Sequence, residues 1–230
     1  MGTTVTYDIT ETGDDGRFYT SSGSYSSSPT TYTADHAGDS NYILIGAEFD
    51  WDDYSYSWRQ GWFRFQNVAV PQGATIDSAY LKPYWLSTSE KTFNVAGFAK
   101  DNAAQPTTGA EGNHSNHTSA TVSWAVTTGA AVKTSPDIKA IVQEITDRAG
   151  WASGNAMMFG IWKSSGTYYS SDTRGIYAYG NSSGRAVVQL EIEYTAGGGG
   201  GGSSEDAYAP IKAASYSPVI SPVNTSRIIS

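Results

Sequence analysis

Hydrophobic residues recur at every second position through most of this chain, and that period suits extended strands and little else. The pattern is clearest towards the C-terminus, where Ala186, Val188, Leu190, Ile192 and Tyr194 alternate with Gln189, Glu191 and Glu193. Successive side chains of a strand point to opposite faces, so this spacing predicts one buried face and one solvated face. The same alternation runs through Thr3-Val5-Tyr7-Ile9, through Ile43, Ile45, Ala47 and Phe49, and through Phe63 and Phe65 set against Trp62 and Arg64. It continues in Phe93, Val95 and Gly97, in Val122, Trp124 and Val126, and in Met157, Phe159 and Ile161. Ile76 to Leu86 reads as one long strand, with Pro83 placing it at an edge or a bulge.

One segment changes period. Ile138, Ile141, Val142 and Ile145 share one stripe at helical spacing. Ser135 is the expected cap, Pro136 suits the first helical position, and Gly150 is the expected left-handed stop. Arg148 sits near the negative C-terminal end. Tyr19 to Ala37 and Asn102 to Ser119 are polar and read as long loops. Eight or more strands with one helix predict an all-β fold, a two-sheet antiparallel β-sandwich of jelly-roll-like form.

Two stretches add a likeness. The first is Trp62-Phe63-Arg64-Phe65 followed by Val70-Pro71-Gln72-Gly73-Ala74-Thr75-Ile76-Asp77-Ser78-Ala79-Tyr80-Leu81. The second is Thr134-Ser135-Pro136-Asp137-Ile138 with Val142-Gln143-Glu144-Ile145 and Gly150-Trp151-Ala152-Ser153-Gly154-Asn155. Together they resemble the DNRLRE-type β-sandwich modules over roughly residues 40 to 194. Such modules occur in bacterial cell-surface proteins and in phage particle proteins. The resemblance implies a non-catalytic body that is structural or glycan-associated, and it implies no catalytic residue.

The alternation stops at Tyr194, and six consecutive glycines, Gly197 to Gly202, come soon after. The organisation expected is a sandwich body over 1–195, a Gly-rich hinge over 196–203 and an extended docking tail over 204–230. Six glycines span about 14 Å as a flexible coil, enough to step to a neighbour. The tail spaces Tyr208, Ile211, Tyr216, Ile220 and Ile228 among prolines. That is too little for a core and suits an extended arm, with these five residues as its anchors on a partner.

Charge narrows the partners. The net charge is −8 and only 16% of residues are charged, so a basic face for phosphates is not expected and nucleic acid is excluded as a partner. No run approaches the ~20 apolar residues of a membrane span. Cysteine is absent, which removes disulfides, thiolate nucleophiles and Cys-ligated metals. Met1-Gly2-Thr3-Thr4-Val5 lacks the basic and apolar regions of a signal peptide. A virion protein released by lysis needs none, and a virion or extracellular location is the expectation.

The candidate sites lie in one acidic and aromatic stretch. Asp50, Asp52 and Asp53, with Glu48, sit beside Trp51, Tyr54, Tyr56 and Trp58. One reading is a Ca²⁺ site at Asp50, Asp52 and Asp53, or a sugar platform or subunit interface on the four aromatics. The other is a solvated hairpin tip. Asp14-Asp15-Gly16 and Asp35 with Asp39 carry the acidic signal more weakly. No cofactor is expected, Ca²⁺ being the one ion the acidic stretch suits. His114 and His117 lie three apart in a Gly/Asn loop and read as exposed loop histidines. No Lys-Ser/Thr follows the glycine run. A glycosidase needs two carboxylates about 5–9.5 Å apart in a cleft, and the acidic residues here fall at loops or outward strand positions. The expectation is a non-enzymatic structural protein of an extracellular particle such as a phage virion, either capsid decoration or a tail or fibre component. It would be a homo-oligomer or bound to other subunits of that particle. The alternative is a carbohydrate-binding module or adhesin that takes surface glycans, with or without Ca²⁺.

Overall fold

The alternating segments become strands of two antiparallel sheets. The computed structural model describes residues 2–20, 31–33, 41–50, 55–163 and 173–197. In chain order the elements are β1 (Thr3–Asp8), β2 (Asp15–Thr20), β3 (Thr31–Thr33), β4 (Tyr42–Asp50), β5 (Ser55–Phe65), β6 (Thr75–Lys82) and β7 (Tyr84–Ser87). They continue with β8 (Lys91–Phe98), β9 (His117–Val126), β10 (Gly129–Val132), α1 (Lys139–Thr146), β11 (Met157–Lys163), β12 (Arg174–Tyr177) and β13 (Gln189–Thr195). The smaller sheet has the order β1-β13-β6. The larger runs β10-β7-β12-β4-β5-β11-β8-β9, with β2 also paired to β5 and β3 beyond β2. The all-β sandwich expected from the period of two is the architecture observed. It falls within one compact unit, Met1–Gly198, and the second unit, Gly199–Ser230, lies outside the described residues.

The larger sheet forks at β5. Residues 58–63 of β5 pair with β2 along one edge. The opposite edge is shared, by β4 along residues 55–59 and by β11 along residues 61–65. Gly61 stands at the changeover, where a Cβ would lie 2.7 Å from Ile45 Cδ1. Only glycine lets the two branches diverge that closely.

The core lies between the sheets. Phe63, Phe65, Phe159, Ile161, Phe93 and Val95 project into it from the larger sheet, and Ile76, Leu81, Leu190 and Ile192 meet them from the smaller. Each such side chain contributes about 1.5–3 kcal/mol on burial. The turn before β6 forms as its sequence indicates. Gly73 takes φ 73°, the Ala74 amide donates to Pro71 O at 3.2 Å, and Ile76 enters the core.

Helix α1 lies against β6, β8 and β9, with Ile138, Ile141, Val142 and Ile145 all buried. Gly97 on β8 makes room for it, since a Cβ there would lie 2.6 Å from Ile145 Cδ1. Glu144 anchors it laterally, accepting from the Ser119 amide at 2.7 Å, the Ser119 hydroxyl at 2.8 Å and the Ala120 amide at 2.9 Å. Burial acts to raise the Glu144 pKa, but these donors and Arg148 outweigh it and hold the carboxyl below its ordinary value.

Five expectations need correction. Ile76 to Leu86 is two strands in different sheets, because Pro83 cannot donate to a ladder and the chain crosses over there. Ser135 does not cap the helix. Its hydroxyl accepts from the Leu81 amide at 3.0 Å and so stitches the segment to β6, and Asp137 meets the Lys139 amide at 2.9 Å instead. Gly150 is not among the positive-φ glycines; it is small because the Asp101 carboxylate, paired with Arg148, occupies the place of a Cβ. Ala186 is exposed and precedes β13. Parts of the two segments read as long loops are strand: Tyr19 and Thr20 end β2, Thr31–Thr33 forms β3, and His117 opens β9. Among the described residues no helix is long and apolar enough to cross a membrane.

Candidate functional site

The sequence candidates scatter. Asp50 and Tyr56 stand at the paired ends of β4 and β5, where Asp50 is in register with Ser55 and Phe49 with Tyr56. Trp51, Asp52, Asp53 and Tyr54 lie outside the described residues, as do Asp35 and Asp39 and the tail residues Tyr208, Ile211, Tyr216, Ile220 and Ile228. Trp58 is described and is only 6% exposed, so its ring packs into the body and offers no open face to a sugar. Among the described residues no three His, Cys, Asp or Glu side chains converge on a metal position.

Asp14 and Asp15 prove to be internal. Asp14, 1% exposed, accepts from Arg64 Nη1 at 2.5 Å, Gln66 Nε2 at 2.7 Å and Gln105 Nε2 at 3.2 Å. Arg64 Nε also donates to Ala103 O at 2.6 Å. Asp15 accepts from the Tyr179 amide at 2.7 Å. These carboxylates pin loops to the sheet, and both oxygens of Asp14 accept from protein donors.

The outer face of β5, β11 and β9 brings two histidines together. Burial of Phe18, Trp62, Phe98, Ala103 and Met158 draws residues 99–116 across this face. Short 3₁₀ turns at Gly109–Gly112 and His114–Asn116 then set His114 over the sheet. The His114 and His117 rings stack at 4.9 Å and 29°, and both contact Trp162, at 4.6 and 4.9 Å. Gln60, buried at 5% exposure, bridges them. Its Nε2 donates to His117 Nε2 at 3.0 Å, and its Oε1 accepts from His114 Nε2 at 3.1 Å. With the Gln60 amide in that orientation, His117 is the Nδ1–H tautomer and His114 the Nε2–H tautomer. Gly160 beneath leaves space for the amide, for a Cβ there would lie 2.8 Å from Gln60 Nε2. Burial, then the neighbouring His114, lowers the His117 pKa to about 3, and burial lowers that of His114. Both imidazoles are neutral, and the expectation of exposed loop histidines is overturned. The sequence showed neither the stacking nor the bridge, because Gln60 is 57 residues from His117 and meets it only through strand pairing.

A second constellation covers the outer face of the β4-β12-β7-β10 branch. Tyr42 is in register with Tyr177, and Tyr84 with Val132. Ile176 pairs with Trp85, which sets Tyr177 beside Tyr84. The row Tyr42–Tyr177–Tyr84–Val132 therefore crosses four strands. Its rings meet edge to face, at 6.5 Å and 85° for Tyr42 with Tyr177, and at 5.2 Å and 82° for Tyr84 with Tyr177. Tyr42 leans over the bare Cα of Gly175, where a Cβ would lie 3.1 Å from its Cδ2. The Tyr84 hydroxyl donates to Ala130 O at 3.3 Å, and the Arg185 guanidinium lies 5.3 Å from the Tyr84 ring centre. Val132 also borders a cleft of about 320 Å³ lined with Asp8, Lys82, Ala186, Val187 and Gln189. Period-two alternation placed β4 but did not separate β7, β10 or β12, which have only four residues each.

Compared with models of known protein families, the chain matches none. Curated proteins likewise give no match.

Proposed function

We infer that this chain is a non-enzymatic structural protein of an extracellular particle, in first place a phage virion, as capsid decoration or as a tail or fibre component. The sandwich is the body, and the segment beyond Gly202 is an arm that docks on a neighbouring subunit through Tyr208, Ile211, Tyr216, Ile220 and Ile228. One observation carries this reading: the core closes before the glycine run. Strand β13 is paired on both edges, by β1 and by β6, and Val188, Leu190, Ile192 and Tyr194 fill its inward face. The glycine run begins two residues after its last residue, Thr195. A hinge of maximal backbone freedom followed by a proline-spaced apolar segment suits attachment to something outside the body. The low charge density and the likeness to β-sandwich modules of particle and surface proteins add support.

Sedimentation velocity on the full chain and on a chain ending at Gly202 tests it. The full chain should form oligomers, alone or with its particle partners, and the shortened chain should sediment as a monomer. Equal assembly by both would overturn the docking arm.

A further inference from the structure

The tyrosine row on the β4-β12-β7-β10 face has no part in that docking scheme. We propose that it binds a polysaccharide chain, with Tyr42 and Tyr177 contacting sugar rings and Arg185, beside Tyr84, donating hydrogen bonds to sugar hydroxyl or carboxyl oxygens.

The chemistry of the face argues for such a ligand over a protein. Among the described residues Val132, at 48%, is the one large hydrophobic side chain that is exposed. The tyrosines and Leu86 beside them are half-buried. A stable subunit interface is built around an apolar centre, and among the described residues of this strip Val132 is the one exposed large hydrophobic. A sugar chain is narrow and presents C–H faces bordered by hydroxyls. Tyrosine matches it with an apolar ring and a polar tip.

The face is also held ready. Edge-to-face packing fixes the three rings relative to one another, and the Tyr84 hydroxyl is tied to Ala130 O. Gly175 is what allows Tyr42 to lean in against the strand. Arg185 is exposed, yet its backbone is clamped: its amide donates to Asn181 Oδ1 at 2.9 Å, and its carbonyl accepts from Asn181 Nδ2 at 3.0 Å. Among the described residues no carboxylate pairs with its guanidinium, so its fork of donors is offered outward on a chain of net charge −8. At the other side of Val132 the cleft gives depth for a substituent. A rigid aromatic surface with an outward cation loses little entropy on binding.

Native affinity electrophoresis of the full-length chain provides the test, in gels containing hydroxyethylcellulose, galactomannan, dextran or polygalacturonate. At least one polymer should retard the wild-type chain. Tyr42→Ala and Tyr177→Ala should each weaken that retardation about tenfold, and Arg185→Ala about threefold. Near-ultraviolet circular dichroism checks that the tyrosine variants stay folded, and Arg185→Ala, at an exposed side chain, keeps the test decisive if they do not. No retardation by any of the four polymers would overturn the proposal. So would undiminished retardation of Arg185→Ala together with a folded Tyr42→Ala.

Discussion

Mild acid should destabilise this protein through His117. Folding lowers its pKa from 6.5 to about 3, so the folded state resists a proton that the unfolded chain accepts. The stability is whole above pH 6.5, falls as the pH drops below that value, and stops falling near 3. At pH 5 the loss from this one residue is about 2 kcal/mol relative to pH 8. His114, lowered in the same direction, adds to it. The structural cause is burial first and the neighbouring His114 second, and a proton on His117 Nε2 would also face the Gln60 amide donor. Equilibrium urea unfolding at pH 8, 7, 6 and 5 measures the slope above the range where most carboxylates titrate. A His117→Gln variant, whatever its absolute stability, should lose most of that slope. Stability that stays flat from pH 7 to 5, or a slope that His117→Gln leaves intact, would refute the assignment.

Two further substitutions probe the packing of the same face. Arg64→Met should cost about 3–5 kcal/mol in urea unfolding, because it leaves Asp14 buried and uncompensated; a loss under about 1 kcal/mol would mean that Gln66 and Gln105 suffice. Gly160→Ala should displace the Gln60 amide, cost about 1–3 kcal/mol and alter the pH slope, whereas a neutral effect on both would show that the bridge does not depend on that space.

The longer half-buried strands were legible because their side chains obey a two-residue period over seven or more positions, as in Gln189–Thr195, whereas Met157–Lys163 is buried on both faces. Strands of three or four residues give too few alternations, and β3, β7, β10 and β12 were not separable from their surroundings. The helical stripe was readable, but its start was not. Ser135 and Asp137 have similar capping chemistry and both accept from β6 amides, but Asp137 alone also accepts from the Lys139 amide. Both side-chain constellations depend on contacts between residues far apart in sequence. Gln60 reaches His117, and Tyr42 reaches Tyr177, only once the larger sheet has formed. Trp58 illustrates the converse: its setting among acids and aromatics suggested a surface, yet it is buried on a strand paired along both edges, by β2 and β4.

The account stands on a body that completes its own core before the glycine run. The direct measurement is the melting temperature of the full chain against a chain ending at Gly202, both dilute enough to be monomeric. The account predicts midpoints equal to within about 1 °C. A fall of about 4 °C or more on truncation, equivalent to at least ~1 kcal/mol, would mean that the terminal segment stabilises its own body, contradicting a role reserved for a partner.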